Sequence, residues 1–136
     1  MTATSDLELK LPARAENVAV VRHAFGGFAE ALSVDEQTLA DIKLAVTEAC
    51  TNVVIHAYED DEVGDLEVDA SIDEVRLTVV IRDNGRGIVP RPDSPGLGLG
   101  LPLIATLAES LELGRDNGDH TEVRMTFRLD EERDPQ

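Results

Sequence analysis

Leu7, Leu9 and Leu11 alternate with Asp6, Glu8 and Lys10, a period of two that predicts a half-buried strand ended by Pro12. Over residues 14 to 32 the period changes. Val18, Val21, Phe25, Phe28 and Leu32 recur at spacings of three and four, which predicts a helix with one apolar stripe. Gly26 and Gly27 weaken its middle, each costing about 1 kcal/mol relative to alanine. Ser33 or Asp35 offers the cap for a second helix from about Glu36 to Ala57, whose core stripe is Leu39, Ile42, Val46, Ala49 and Val53. The acidic stretch Glu59 to Asp65 reads as a loop. Leu66 to Ile72 and Val75 to Arg82 then read as a hairpin with Asp73-Glu74 at its turn. The nearly continuous apolar run Leu77 to Ile81 suits a strand in mid-sheet. Residues 84 to 98, rich in glycine and proline, read as a loop. A third helix spans Leu99 to Ser110, with Pro102 tolerable only in its first turn. Leu111 to Arg115 and Thr121 to Leu129 are strands joined by Asp116-Asn117-Gly118-Asp119, and a charged tail covers 130 to 136. This order predicts an α+β two-layer sandwich, a mixed, mostly antiparallel sheet with about three helices on one face.

A chain of 136 residues with 42% apolar side chains suits one packed domain, its core running from about residue 7 to 129. No apolar run reaches the roughly 20 residues that span a bilayer, so no membrane partner is expected. Met1 to Asp6 has neither a basic nor an apolar stretch, so no secretion signal is expected. Cys50 is the one cysteine, which rules out an internal disulfide and fits a reducing cytoplasm. The formal net charge of −16, with Lys10 and Lys43 the only lysines, argues against direct nucleic-acid binding. That charge either attracts a basic protein or forms an ordinary solvated acidic surface.

Three short patterns carry candidate chemistry. Glu48, Asn52 and His56 follow one another at steps of four, so on a helix they share an arc of about 80° beside the core stripe. The Asn52 oxygen is a hard ligand suited to Mg²⁺, Glu48 can orient or deprotonate a hydroxyl, and His56 can donate to phosphate. A polar helix edge would look the same. Asp83 then closes a buried strand before Gly85 and Gly87. Glycines there let the backbone approach a ligand, and the carboxylate can accept a hydrogen bond from an exocyclic amine such as adenine N6. Asp-Asn-Gly is equally a turn signal. Last, Gly96, Gly98 and Gly100 lead into the third helix, where free N–H groups and the helix dipole suit an anion, although a glycine-rich helix entry need bind nothing. No lysine of the P-loop kind follows, and no strand runs directly into the glycines.

Together these patterns resemble the N box, G1 box and G2 box of the GHKL (histidine-kinase-like) ATPase superfamily, whose ATP site has the Bergerat fold. They are most similar to the anti-sigma-factor serine/threonine kinase family. The resemblance rests on Pro12 to Asn17, Val46 to Asn52 through Tyr58, Arg82 to Ile88, Gly96 to Leu103 and Thr121 to Met125. It implies ATP and Mg²⁺ as cofactors, Glu48 as general base and Asn52 as the metal ligand. It implies Asp83 as the adenine reader, assisted by Gly87 and Thr121, and Gly98 and Gly100 as phosphate-contacting positions. Arg22 matches a family position that touches protein partners, namely a sigma factor or a STAS-type anti-anti-sigma protein. Family members commonly form homodimers.

Two stretches depart from the family pattern. Only Ile88 to Pro95 separates Gly87 from Gly96, a short lid stiffened by Pro90, Pro92 and Pro95, with Ser94 its one hydroxyl. Lid closure completes such sites, so the alternative expectation is a nucleotide-gated protein-binding module with little transfer. The family's Gly-Thr pair on the late strand reads His120-Thr121.

Overall fold

The computed structural model describes the backbone of residues 5–56, 64–84, 97–115 and 121–129, and the side chains of all of these but residues 56, 97–100 and 115. Five strands and three helices follow in the order β1 (Leu7–Pro12), α1 (Ala15–Ala31), α2 (Glu36–His56), β2 (Asp65–Asp73), β3 (Arg76–Asp83), α3 (Leu97–Leu107), β4 (Ser110–Arg115) and β5 (Thr121–Arg128). The strands lie in the order β1-β2-β3-β5-β4. Every pairing among them is antiparallel, so the described sheet is wholly antiparallel where a mixed, mostly antiparallel one is expected. The apolar β3 is the central strand, as its run of Leu77 to Ile81 predicts.

One face of the sheet is the core face. Leu66, Val68 and Ala70 of β2, Leu77, Val79 and Ile81 of β3, and Val123, Met125 and Phe127 of β5 are buried there in one cluster. Val18, Val21 and Phe25 of α1, Ile42, Ala45, Val46, Ala49, Cys50 and Val53 of α2, and Ile104 of α3 close that cluster from above. The opposite face is polar. Arg82 donates to Asp69 on one neighbouring strand and to Glu122 on the other, the latter at 3.1 Å. Leu7, Leu9 and Leu11 pack against the core from the edge strand β1. Pro12 is that strand's last residue rather than its terminator. The position costs no sheet bond, since an edge strand tolerates a missing N–H. Its carbonyl accepts the Asn17 side-chain amide at 2.7 Å, tying β1 to the start of α1.

The junction of α1 and α2 settles which residue caps which helix. Asp35 accepts the Thr38 amide through Oδ1 at 3.2 Å and so caps α2. Ser33 belongs to the end of α1. Its N–H donates to the Glu30 carbonyl and the Val34 N–H to that of Ala29, while its own φ is +58°. This is the Schellman closure of a helix, with serine where glycine is preferred. The β2–β3 turn comprises Glu74 and Val75, one residue later than expected, since Asp73 still pairs with Arg76. α3 begins at Leu97, two residues earlier than its pattern suggests, which puts Gly98 and Gly100 in its opening turn and Pro102 beyond it. Lacking an N–H, Pro102 leaves the carbonyl of Gly98 without its usual helical donor.

Candidate functional site

The position of the site follows from two rulers. At the far end of the molecule Thr38 and Asp41 of α2, Leu107 beside Ala108 and Glu109, and Phe127 and Arg128 of β5 line one small cavity of about 200 Å³. The start of α2, the end of α3 and the end of β5 therefore meet there. Asn52 lies fourteen residues further along α2, about 21 Å at the helical rise. Thr121 lies six residues back along β5, about 20 Å at the strand rise. The opening turn of α3 lies about 15 Å from its other end. Asn52, Thr121 and the N-terminus of α3 therefore all lie away from that cavity, toward the other end of their elements, and Asp83 accompanies Thr121, because the two pair directly.

These groups are buried polar groups in an otherwise apolar layer. Asp83 is 2% exposed, Asn52 4% and Thr121 8%. Asp83 extends the row Leu77, Val79, Ile81 on the core face of β3. Thr121 opens the row Val123, Met125, Phe127 on that face of β5. Asn52 Nδ2 and Thr121 Oγ1 have no hydrogen-bond partner among the described residues. A buried polar atom left without a partner costs roughly 1–3 kcal/mol, so two at one end of the sheet mark a place where a ligand would supply the missing partners. The donor set suits a purine nucleotide with a hard cation: a carboxylate and a hydroxyl opposed across two strands, an amide on the facing helix, and a helix N-terminus for phosphate. Glu48 sits one turn before Asn52 and is only half-buried, open to an incoming group.

Of the residues singled out in the sequence, Glu48, Asn52, Asp83 and Thr121 are placed on this end of the molecule, with Gly98 and Gly100 in the opening turn of α3. His56 is the last residue of α2, one turn past Asn52. Gly85, Gly87, Gly96, His120 and the lid from Ile88 to Pro95 lie outside the described residues, as do Ala57, the turn at 116–119 and the tail. Arg22 stands apart. It is half-buried on α1, in a groove shared with α2 and turned away from the sheet. One polar group escaped the sequence reading altogether. Thr47 Oγ1 is buried without a partner, in that same groove. The signal that could have found it is the pair Leu44 and Ile55, apolar residues off the core stripe that flank it on α2.

A layer of three helices over one antiparallel sheet, with a helix amide, a strand-end carboxylate and a glycine-bearing helix start at one end, defines a nucleotide-binding kinase-like domain. Residues 11–127 match the family described as the histidine kinase-like ATPase domain. The chain is 36% identical over 127 residues to the serine-protein kinase RsbW of Bacillus thuringiensis (strain Al Hakam), with 82% of this chain and 79% of the relative covered. It is 35% identical over the same coverage to the serine-protein kinase RsbW of Bacillus mycoides (strain KBAB4). Among solved structures it resembles that of the RsbU and RsbW domains of Rv1364c from Mycobacterium tuberculosis, with a TM-score of 0.70 at 23% identity. The alignment takes in 90% of this chain and 32% of that longer one, and it speaks for the fold alone. The chain belongs to the anti-sigma-factor serine/threonine kinase family of histidine kinase-like ATPases.

Proposed function

We propose that this protein is an ATP- and Mg²⁺-dependent anti-sigma regulatory kinase, which binds a sigma factor or a STAS-type anti-anti-sigma protein and phosphorylates a serine or threonine of the latter. The observation that carries this reading is the pair of unpartnered buried atoms, Asn52 Nδ2 and Thr121 Oγ1, at the end of the sheet where Asp83 closes β3. Family membership supports it, and the RsbW relatives are named serine-protein kinases.

In this reading Asp83 and Thr121 hold the adenine edge, together with Gly85 and Gly87. Asn52 would present its amide oxygen to Mg²⁺ and its unpartnered Nδ2, a donor, to a phosphate oxygen. The start of α3, with Gly96, Gly98 and Gly100, and the side chain of His56 hold phosphate oxygens. Bound ATP supplies the phosphoryl group, and Mg²⁺ offsets its charge. Glu48 orients the acceptor hydroxyl and takes its proton, a task suited to a half-exposed carboxylate one helical turn from the metal ligand. Arg22 meets the protein partner. The unit acts as a single domain from about residue 7 to 129, as a homodimer, in the cytoplasm. Among the described residues no helix is long and apolar enough to cross a membrane.

The net charge of −16 makes the cation indispensable, since an anionic protein must hold an anionic nucleotide. Calorimetry with ATP should therefore give strong binding with Mg²⁺ and a sharp loss on chelation, and unchanged affinity after chelation would overturn the electrostatic part of the proposal. Labelled ATP incubated with an anti-anti-sigma protein should label that protein. Nucleotide-dependent partner capture without label transfer would instead favour the binding-module reading, which the short proline-bearing lid of residues 88–95 supports.

A further inference from the structure

Side chains alternate along a strand, so Arg82 and Asp83 point to opposite faces of β3. Asp83 lies on the core face with Thr121 as its cross-strand partner. Arg82 lies one rung back on the polar face, with Glu122 as its own partner. Arg82 Nε donates to Glu122 Oε1 at 3.1 Å, and a second guanidinium nitrogen donates to Asp69 on β2. One fork therefore ties the central strand to both of its neighbours. The Arg82 and Asp69 side chains are each 29% exposed and that of Glu122 21%, so solvent screens this network less than an open surface pair. Burial by itself lowers the Arg82 pKa, yet the hydrogen bond and charge of Asp69, joined by those of Glu122, hold it above its ordinary value. Attraction outweighs desolvation here.

The charges around this fork favour it from every strand at its level. Glu67 stands directly opposite Arg82 on β2, with Lys10 beyond it on β1. The rung thus alternates in sign across four strands, Lys10, Glu67, Arg82 and Glu122, and opposite charges facing each other across strands are favourable. Glu122 has little else to hold it. Gly114, its partner on β4, brings no side chain and has nothing within 4 Å of an added Cβ. Arg124, two residues along β5 and facing Glu112, approaches the other Glu122 oxygen only at 3.9 Å. Beyond this rung comes one more, and it is the last. Asp83 is the final residue of β3 and Thr121 the first of β5. The end of a ladder opens most easily, because its last rung is supported from one side only.

We infer that Arg82 and Glu122 are positioning residues for nucleotide binding: their bond on the outer face of the sheet holds the Asp83–Thr121 rung closed, so that the carboxylate and the hydroxyl stand ready for one adenine edge. The two residues touch no ligand and act through the backbone of β3 and β5. Asp69 anchors the guanidinium from the β2 side and does not set the distance between β3 and β5. Removing Arg82 or Glu122 therefore frees the start of β5, whereas removing Asp69 leaves the bond that matters in place. The inference rests on the nucleotide reading of Asp83 and Thr121 given above, and it extends the site to the face of the sheet that the nucleotide never meets.

Calorimetric titration of the full chain with Mg²⁺ and ATP tests it, with urea titrations alongside. Glu122→Ala and Arg82→Ala should each weaken ATP binding about fivefold, and the double variant no further than either single one. Asp69→Ala should lose as much stability as Glu122→Ala yet keep ATP affinity within about twofold of the parent, a split that a merely structural role would not produce. In a Thr121→Val background, Glu122→Ala should cost less than about twofold, since one of the two groups it aligns is already gone. Equal affinity in parent and Glu122→Ala, an equal loss in Asp69→Ala, or an undiminished loss in the Thr121→Val background overturns the inference. Amide hydrogen exchange on the nucleotide-free chain gives a second readout. Glu122→Ala should speed exchange around Asp83 and Thr121 and leave the Leu77–Phe127 end of the same ladder unchanged. Uniform acceleration along the ladder, or none, overturns the inference as well. A parent chain that binds no ATP would remove the nucleotide reading, and the exchange pattern would still decide whether the Arg82–Glu122 bond closes the last rung.

Discussion

Asp83 and Thr121 stand directly opposite each other across β3 and β5, both on the core face of the sheet and both buried. The Thr121 hydroxyl, buried without a partner among the described residues, is costly unless something completes it. The juxtaposition of Asp83 and Thr121 gives the proposed adenine site two polar edges of different kinds: a pure acceptor and a group that both donates and accepts. The register that produces it is set by the alternation of Leu77, Val79 and Ile81 with the opposite face. Slipping by one residue would turn Asp83 outward and the whole apolar row with it.

If Asp83 accepts a hydrogen bond from the adenine amine, Asp83→Asn removes the discrimination between ATP and GTP. Bound ligand raises stability by RT ln(1 + [L]/Kd), so the parent should gain more melting temperature with Mg²⁺ and ATP than with Mg²⁺ and GTP. The variant should gain alike with both. A preserved ATP preference in Asp83→Asn would show that another group reads the base.

Asn52 offers a sharper contrast between stability and function. Its buried Nδ2 has no partner among the described residues, so Asn52→Leu, of the same branched shape, should raise nucleotide-free stability by about 1 kcal/mol in a urea titration. The same change should abolish the thermal gain from Mg²⁺ and ATP. A variant that is destabilised, or that still responds to nucleotide, would mean the amide serves the fold and not the ligand.

Glu48 is half-buried and one turn from Asn52, close to the proposed phosphates yet not among the adenine contacts. Glu48→Ala should keep nucleotide affinity and lose phosphoryl transfer by about 10²-fold or more. Equal transfer by parent and variant in a labelled-ATP assay would remove Glu48 from the mechanism.

Periodicity alone reveals every described element and its type, because the period-two and period-3.6 patterns are strong in β1, β2, β5, α1 and α2. The geometry on which the proposed nucleotide site rests was legible in part: Glu48 and Asn52 are one helical turn apart, and Asp83 closes an apolar strand. Boundaries were less legible where one residue type serves two ends. Ser33 fits the start of a helix by composition, and only the backbone bonds to Glu30 and Ala29 show that it finishes the preceding one. The start of α3 was hidden because glycine weakens a helix without forbidding it. The groove between α1 and α2 was not legible at all. Spacing tells which residues share a face, so Leu39 was expected in the core stripe. It cannot tell which face finds a neighbour, and Leu39 instead lines the open groove.

Cys50 provides a pH-dependent signature of the core. Burial pushes its thiol from 9.0 up to about 12, because a thiolate would be stranded among apolar side chains. The sign follows from that direction: the folded pKa is above the unfolded one. The stabilisation is therefore whole below pH 9.0 and is lost progressively as pH rises toward about 12. Urea midpoints measured at pH 9 and at about pH 11 should fall in the parent and fall less in Cys50→Ala. The folded protein should also react slowly with thiol reagents, and quickly once unfolded. Equal pH dependence in parent and Cys50→Ala would show that the thiol does not titrate with unfolding.

The end of α1 supplies a prediction that concerns the fold alone. Ser33 holds φ at +58°, a left-handed angle that an L side chain adopts at a cost of about 1–2 kcal/mol and that glycine adopts freely. It is exposed, and the two hydrogen bonds that close the helix come from backbone N–H groups, so no side-chain contact is lost on substitution. Ser33→Gly forfeits some unfolded-state restriction, which offsets part of the gain. The net expectation is a rise of about 0.5–1 kcal/mol in unfolding free energy. ATP affinity should be unaltered, since Ser33 lies beyond the start of α2, far from Asn52. Gly27, by contrast, has an ordinary helical angle and nothing within 4 Å of an added Cβ, so Gly27→Ala should stabilise by about the same amount for the opposite reason, a stiffer unfolded chain. Chemical denaturation of the two single variants and of their combination checks both, and additive gains are expected because the sites share no contact.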